Sequence, residues 1–265
     1  MKIGIIGADT THTLAFAKKF IAHDTCELAW IDIRNYTTLA FSQKRAPGIV
    51  AQLHDLGIKC VEGYLRDDVD AYCILNLDAS SHRKIIDEIG IYGKPIFVDK
   101  PIFYTIAEFG NISVPLFSSS ALRYCSFMKR AQNSIKCDNR TIHIEGPLSF
   151  VEGIEGYFWY GIHLLEMLHA LSDAPLVIEC VVQEDAYEIV TGTSGGFEFT
   201  LKGITVGDPS FKVSFGTETY DISDDDEAIY DNLIDEIIEF FNDKQDRVKG
   251  EFIIDAILTI NRMRR

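Results

Sequence analysis

The first stretch of the chain, KIGIIGADTTHTLAFAKKF at residues 2–20, has the pattern of a strand, a tight turn and a helix. Ile3 to Ile6 form a short apolar run, which is typical of a strand buried on both faces of a parallel sheet. Gly7 interrupts this run, and apolar residues recur at helical spacing from Leu14 onwards. A helix that follows a strand so directly offers backbone N–H groups to a phosphate. The stretch therefore predicts a nucleotide-binding unit.

The turn matches the dinucleotide fingerprint G-x-G-x-x-G in part. The fingerprint requires glycine at positions 7, 9 and 12, where this chain has Gly7, Asp9 and His12. One interpretation is a cofactor-binding turn, and the other is a plain strand-to-helix turn capped by an Asp or Thr side chain. We expect the Asp9 carboxylate to point away from a pyrophosphate and to accept N–H groups at the start of the helix. The predicted cofactor-binding residues of this turn are Gly7, Ala8, Asp9, Thr10, Thr11 and His12.

The composition limits the classes of function. The chain has 265 residues, of which 47% are hydrophobic and 25% are charged, as in an ordinary globular protein with ample core. Its net charge of −15 argues against nucleic acid or an anionic membrane as a partner. The six cysteines form no C-x-x-C pair, and we find neither an apolar run long enough to span a membrane nor a signal-peptide pattern. We therefore expect a cytoplasmic protein with reduced thiols.

Strands and helices alternate along the first half of the chain. Apolar runs predict further strands at residues 27–33, 59–61, 69–76, 94–98 and 114–120. Helices are predicted at 36–56, with an interruption at Pro47-Gly48, at 80–89 and at 121–131. This alternation predicts a doubly wound parallel sheet of the Rossmann type. Ligands bind such a sheet beyond the carboxyl ends of its strands, where Gly7, Asp32, Asn76 and the turn Asp99-Lys100-Pro101 would gather.

The second predicted strand ends at a charged pair. Asp32 stands where a Rossmann fold holds the ribose 2′-hydroxyl of NAD, and Arg34 could instead bind the 2′-phosphate of NADP. We interpret Asp32 as the dominant residue, so the predicted cofactor is NAD or NADP, with NAD favoured.

From Thr141 the pattern changes to closely spaced β segments, which predict a mostly antiparallel sheet. A helix preceded by the aromatic residues Tyr157 to Tyr160 interrupts them and carries His163 in its first turn. Two more helices follow, one beginning at the acidic cluster that starts at Ser223 and one near Glu251. The fold class predicted is α/β, with a Rossmann domain at residues 1–122 and a substrate-binding and oligomerisation α+β domain at 123–265.

Three segments resemble the Gfo/Idh/MocA family of NAD(P)-dependent oxidoreductases. They are DAYCILNLDASSH at residues 70–82, GKPIFVDKP at 93–101 and WYGIHLLE at 159–166. In that family the lysine of the E-K-P motif lies beside the nicotinamide and the substrate, and Lys100 matches it, with Asp99 in place of the glutamate. The resemblance also implies cofactor contacts for Asn76 and His82. Trp159 stands where the family has a catalytic aspartate, four residues before the matching histidine, His163.

The resemblance implies an oxidoreductase that transfers a hydride between nicotinamide and a small polyol, sugar or related hydroxy compound. Lys100 and His163 are the predicted catalytic residues, and we expect them to face each other across an interdomain cleft. The substrate-binding residues predicted are Lys100, Trp159, Tyr160 and His163, and no metal site is predicted. The alternative is a non-catalytic sensor or regulator that binds a nucleotide or sugar on the same fold. A homodimer or larger homo-oligomer is expected.

Overall fold

The computed structural model describes residues 1–34, 36–135, 141–222, 229–247 and 250–265. It divides into two compact units, of which unit 1 comprises Met1–Ser119 and Leu233–Val248, and unit 2 comprises Ser120–Asn232 and Lys249–Arg265. The predicted helix start at residues 223–226 lies outside the described residues. No helix in the described part of the chain is long and apolar enough to cross a membrane.

Unit 1 is built on a six-stranded parallel sheet in the order β3-β2-β1-β4-β5-β6. This order is that of a Rossmann fold, and it confirms the predicted doubly wound sheet. The strands are β1 (Lys2–Ile6), β2 (Glu27–Asp32), β3 (Cys60–Val61), β4 (Ala71–Ile74), β5 (Ile96–Val98) and β6 (Leu116–Ser118). Three helices connect them: α1 (Thr11–Ala22), α2 (Ala40–Asp55) and α3 (His82–Gly90).

Helix α1 packs on the sheet through aromatic side chains. Phe16 and Phe20 are completely buried, and the Phe16 ring lies 5.9 Å from the ring of Phe97 in β5. Burial of two such rings contributes several kcal/mol at about 1.5–3 kcal/mol for each side chain. These two side chains hold α1 against the sheet.

Helix α2 is continuous, whereas the sequence predicts an interruption at Pro47 and Gly48. Pro47 lies inside the helix and removes one backbone hydrogen bond there. Ile49 and Leu53 follow it on the same helix and are 3% and 0% exposed. Burial of this apolar side explains why the helix continues past the proline.

Unit 2 contains a second six-stranded sheet, in the order β12-β11-β7-β10-β9-β8. Strands β7 and β10 pair in parallel and the other neighbours pair antiparallel, so the predicted mostly antiparallel sheet is confirmed. The strands are β7 (Thr141–Pro147), β8 (Val177–Gln183), β9 (Tyr187–Ser194), β10 (Phe197–Ile204), β11 (Lys212–Phe215) and β12 (Glu218–Asp221). The helices that lie within this unit are α4 (Ser126–Ser134), α5 (Ile162–Ser172) and α7 (Gly250–Met263).

Two features of unit 2 differ from the sequence predictions. The helix expected from Ala121 is a 3-10 turn over Ala121–Tyr124, after which Cys125 is extended and α4 begins at Ser126. Strand β12 is not predicted from the sequence. It is short and polar, and it exists because it pairs with β11.

Helix α6 (Asp231–Asp243) lies largely in unit 1, although the predicted boundary assigns all residues after 122 to the second domain. The ring of Phe240 packs 5.4 Å from the ring of Phe117 in β6. After the helix, the N–H of Arg247 donates to the carbonyl of Leu116 at 3.2 Å. The chain therefore returns to the first sheet after it has built the second, which a single boundary does not describe.

Candidate functional site

The turn between β1 and α1 requires glycine at position 7. Gly7 has φ +100°, and a Cβ placed there would lie 2.5 Å from the backbone nitrogen of Asn76. The N–H of Gly7 donates to the carbonyl of Asp32 at 3.1 Å, and the Thr13 hydroxyl donates to the carbonyl of Gly7 at 3.0 Å. The turn is thus packed against the ends of β2 and β4, at the carboxyl edge of the sheet.

Asp9 is buried and does not cap α1. Its carboxylate accepts from the backbone N–H of Leu77 at 3.1 Å and from the Ser42 hydroxyl at 2.5 Å. The cap is Thr10, whose hydroxyl oxygen accepts from the N–H of His12 at 2.9 Å. The predicted contact of the Asp9 carboxylate with N–H groups at the helix start is therefore wrong, because Thr10 takes that position and other elements supply the donors. Burial raises the pKa of Asp9 above its ordinary value, against the lowering effect of these hydrogen bonds.

The charged pair at the end of β2 is arranged differently from the sequence interpretation. Asp32 is completely buried, and its carboxylate accepts from the backbone N–H groups of Arg34 and Gly63 at 3.1 and 3.0 Å. The same carboxylate accepts from the Arg34 guanidinium at 3.3 and 3.4 Å and from the Tyr36 hydroxyl. The Arg34 side chain is 43% exposed, and its guanidinium carbon lies 5.3 Å from the ring centres of Tyr36 and Tyr64. Donors of the chain itself thus bind the oxygens that the sequence interpretation assigns to a ribose.

Asn76 and His82, both predicted to contact the cofactor, are almost completely buried. The two ring nitrogens of His82 lie 2.8 Å from the carbonyl oxygen of Asn76 and 2.9 Å from that of Ile102. His82 therefore links the end of β4 to the loop after β5. The Asn76 amide nitrogen donates to the carbonyl of Asp78 and to the Ser81 hydroxyl, so both residues shape the sheet edge.

His12, Asp99 and Lys100 meet at the edge where β5 ends. The Nδ1 atom of His12 lies 2.5 Å from a carboxylate oxygen of Asp99, and the backbone N–H of Lys100 donates to the other oxygen at 2.9 Å. Burial of Asp99 tends to raise its pKa, but His12 and Lys100 together hold it below the ordinary value. A carboxylate paired with an imidazole beside a lysine can hold and orient protons.

Of the other turn residues predicted to bind a cofactor, Ala8 is buried and Thr11 is exposed at the first position of α1. Unit 1 therefore brings the predicted residues Gly7, Asp9, His12, Asn76 and Asp99 to one edge of the sheet. Whether they contact a cofactor stays a prediction.

In unit 2, His163 is the second residue of α5, as the sequence predicts. Its Nδ1 atom lies 2.8 Å from the hydroxyl oxygen of Ser120. The ring packs edge-on against those of Tyr160 and Phe211, at centre distances of 5.5 and 5.7 Å. The Trp159 ring lies 6.0 Å from that of Tyr160. The expected pairing of His163 with Lys100 stays a prediction.

A second polar cluster lies one turn further along α5. The guanidinium of Arg123 donates to a carboxylate oxygen and to the backbone carbonyl of Glu166, each at 3.1 Å. It also lies 3.3 Å from Nδ1 of His169, whose ring stacks on that of Phe252. Arg123 therefore balances the charge of Glu166, which is 4% exposed.

Sequence reasoning missed Ser120 and Ser42 because each binds a residue far away in the chain. Ser120 and His163 are 43 positions apart, and Ser42 and Asp9 are 33 apart. A serine carries no distinctive local pattern, so no sequence signal singles out either one. Within the described residues, no cluster of three His, Cys, Asp or Glu side chains is arranged to hold a metal ion.

Neither a family model nor a curated protein matches the chain by sequence. Among solved structures it is similar to scyllo-inositol dehydrogenase from Lactobacillus casei, with bound NAD(H) and scyllo-inositol (12% identity, TM-score 0.77, covering 99% of this chain and 96% of that one). It is also similar to UDP-N-acetylglucosamine 3-dehydrogenase GnnA from Acidithiobacillus ferrooxidans (18%, 0.75, 99% and 97%). A third is a probable dehydrogenase from Thermotoga maritima (13%, 0.75, 100% and 98%).

These structures span nearly the whole chain, including both units, at low sequence identity. Likeness at this level shows a common fold, and the predicted resemblance is confirmed to that extent. The fold of this chain is the one shared by dehydrogenases of the Gfo/Idh/MocA type.

Proposed function

We propose that this chain is an NAD(P)-dependent oxidoreductase that transfers a hydride between nicotinamide and a small polyol, sugar or related hydroxy compound. The observation that carries the proposal is the carboxyl edge of the first sheet. The strands of this sheet follow the order of a dinucleotide-binding fold. Their carboxyl ends carry the Gly7 turn, the N-terminus of α1 and the Asp99-Lys100 pair.

The residues of this edge fit a dinucleotide in spite of the incomplete fingerprint. The objection from the sequence is the negative charge of Asp9 beside a pyrophosphate. In the structure the Asp9 side chain is buried, and its carboxylate binds Leu77 and Ser42. The helix N-terminus of α1 would therefore hold the phosphates, with Gly7 allowing close approach of the backbone.

The similar structures support the substrate class. One was solved with NAD(H) and scyllo-inositol, and another is a dehydrogenase of a UDP-linked amino sugar. Scyllo-inositol and UDP-N-acetylglucosamine both carry ring hydroxyl groups on carbon atoms that can be oxidised. We infer that this chain takes a substrate of the same chemical kind.

A bound nicotinamide supplies the hydride chemistry, while the protein orients the reactants and handles the hydroxyl proton. We assign proton transfer at the substrate hydroxyl to Lys100, whose backbone is tied to Asp99 at the end of β5. We assign binding of the substrate to His163 of unit 2 together with Trp159 and Tyr160. Asp99, held by His12, keeps a negative charge beside Lys100.

We further infer that NADP is preferred over NAD, in contrast to the sequence interpretation. A ribose hydroxyl would have to displace Tyr36, Gly63 or Arg34 from the buried Asp32 carboxylate. The guanidinium of Arg34 is accessible at the same strand end, and a guanidinium binds phosphate well. The cytoplasmic location and the homo-oligomeric state stay predictions.

The test combines binding with turnover. NADPH and NADH are titrated into the protein by calorimetry, and polyols and sugars are then screened by nicotinamide absorbance. We expect NADPH to bind and at least one substrate to react. Lys100→Met should keep NADPH affinity within a few-fold and lower kcat by about 10²-fold or more, the size of an acid–base contribution.

Lys18→Met, on the exposed side of α1, is the matched control and should leave both quantities unchanged. Absence of any dinucleotide binding would overturn the proposal. Binding of NADPH without turnover in an extensive screen would favour the sensor alternative.

A further inference from the structure

We propose that Ser120 is a positioning residue for His163, and that it holds the imidazole in the neutral form whose proton is on Nε2. His163 would then bind the substrate oxygen as a hydrogen-bond donor and would not act as the base. The inference rests on the proposed function for its consequence in catalysis, but the contact between the two side chains is a feature of the structure by itself.

The hydroxyl of Ser120 is fixed before it meets His163. Ser120 is 1% exposed and precedes a 3-10 turn as its cap. Its oxygen accepts from the backbone N–H of Leu122 at 3.2 Å. This N–H occupies one lone pair of the oxygen, so the hydroxyl hydrogen points away from it. Nδ1 of His163 lies 2.8 Å from the same oxygen, and we infer that the hydroxyl hydrogen is directed at it. A hydroxyl that already accepts a hydrogen bond is also a stronger donor.

The ring of His163 is confined to one orientation. Tyr160 and Phe211 pack edge-on against it, at interplanar angles of 72° and 69°. The backbone N–H of His163 also donates to the carbonyl of Tyr160 at 3.1 Å. Exchange of the two ring nitrogens would require the imidazole to turn between these aromatic rings, so the nitrogen facing Ser120 stays Nδ1.

The chemistry of the partner determines the role of the histidine. A carboxylate bound to Nδ1 stabilises the positively charged imidazolium and so favours a base. A serine hydroxyl carries no charge and gives no such stabilisation. A hydroxyl that donates to Nδ1 requires this nitrogen to be unprotonated, so the proposed contact assigns the neutral imidazole to His163.

The proposed roles of Lys100 and His163 in the reaction follow from this assignment. A bound nicotinamide would accept the hydride of the substrate carbon, and Lys100 would take the proton of the hydroxyl that becomes the carbonyl. Nε2–H of His163 would donate to a substrate oxygen and would orient the substrate without exchanging a proton.

The test is nitrogen-15 NMR of histidine-labelled protein at neutral pH, which distinguishes the two neutral tautomers. His163→Gln identifies the His163 signals among those of the seven histidines. We expect the wild type to carry the proton on Nε2. Ser120→Ala should produce a mixture of tautomers, whereas Ser120→Thr, which keeps the hydroxyl, should restore the wild-type signals.

Ser120→Asp separates positioning from simple structural support, because aspartate can still cap the turn but carries a charge. It should shift His163 towards the imidazolium. The matched control is Ser126→Ala at the exposed start of α4, which should leave the signals unchanged. Thermal unfolding of each variant shows whether it is folded.

Once a substrate has been found, Ser120→Ala should lower kcat about tenfold to a hundredfold, by analogy with the partners that orient metal-binding histidines. NADPH affinity should stay within a few-fold. A wild-type proton on Nδ1, or a tautomer unaffected by Ser120→Ala, would overturn the proposal. The NMR result needs no substrate, so the expected spectra from a protein without turnover would support the role of Ser120 while refuting the proposed function.

Discussion

Asp32 and Arg34 form an ion pair whose members differ sharply in exposure. Asp32 has no exposed side-chain surface, whereas Arg34 is 43% exposed and is held by its contacts with two tyrosine rings. A buried carboxylate with its full set of donors can orient the guanidinium beside it. We therefore propose that Asp32 positions Arg34, and the predicted contact of Asp32 with a ribose stays a prediction.

This arrangement leads to a prediction about cofactor choice. Arg34→Ala should weaken NADPH binding about tenfold to a hundredfold, since a hydrogen bond to a charged group contributes about 1.5–3 kcal/mol. NADH affinity should change little, because NADH has no 2′-phosphate. Calorimetric titration measures both dissociation constants. Arg66→Ala, at another exposed Arg–Asp pair, is the control; equal loss for the two cofactors in Arg34→Ala would refute the assignment.

The buried carboxyl group of Asp9 should make the stability of the protein depend on pH. Its raised pKa means that the folded state favours the protonated carboxyl. Wild-type stability should therefore fall as pH rises above the unfolded value of about 3.9 towards the folded pKa. Asp9→Asn mimics the protonated form and should not show this loss, so the stability of the wild type relative to Asp9→Asn decreases between about pH 4 and pH 7.

The control is Asp9→Ala, which removes the acceptor of both Leu77 and Ser42. It should be less stable than Asp9→Asn by about 1–3 kcal/mol at neutral pH, the cost of unsatisfied buried donors. Urea unfolding at the two pH values measures each difference. A wild type that gains on Asp9→Asn as pH rises would show that the charged form is favoured.

At the scale of single elements, α1 and α2 use glycine in opposite ways. Gly7 precedes α1 at a positive φ and in contact with Asn76, whereas Gly48 lies on the exposed side of α2, where a Cβ would have no atom within 4 Å. The first glycine is demanded by the turn. The second lowers the stability of its helix without a packing role.

Alanine at the two positions should therefore have opposite effects. Gly48→Ala should increase the free energy of unfolding by about 0.5–1 kcal/mol. Gly7→Ala should decrease it by at least about 1–2 kcal/mol, the penalty for an L-residue in the left-handed region, and should abolish dinucleotide binding. Chemical unfolding and titration with NADPH check both. Normal NADPH binding by Gly7→Ala would refute the proposed path of the cofactor.

At the scale of the whole molecule, unit 1 is completed by a helix that follows almost all of unit 2 in the chain. Leu233, Ile234, Ile237 and Phe240 of α6 are buried, and Phe240 packs on Phe117. The sheet edge at β6 is therefore covered by a segment from more than a hundred residues further along the chain. Unit 1 is therefore built from two segments that most of unit 2 separates in the chain.

We expect Phe240→Ala to destabilise unit 1 by about 3–5 kcal/mol, the usual cost of deleting a buried phenylalanine. Hydrogen exchange should rise in β5 and β6, whose strands pair directly. Phe252→Ala in α7 is the control, because Phe252 is 40% exposed and lies in unit 2. Unchanged exchange in β5 and β6 for Phe240→Ala would contradict the place of α6 in unit 1.

The sequence alone determined the features that depend on neighbouring residues. The apolar run before Gly7 and the helical spacing after it predict the first strand, turn and helix, and all three are found. The alternation of strands and helices predicts the parallel sheet, because a crossover helix returns each strand to the same direction. The position of His163 in the first turn of its helix also follows from local spacing.

Tertiary structure decided what depends on residues far apart. Asp9 could cap a helix by its sequence position, but the fold offers it Leu77 and Ser42 from elements that follow later. The apolar side of α6 would suit either unit, and its pairing with Phe117 selects the first. Ser120 and His163 meet across 43 positions. Periodicity records which side of an element is buried, and it carries no information about which distant residue buries it.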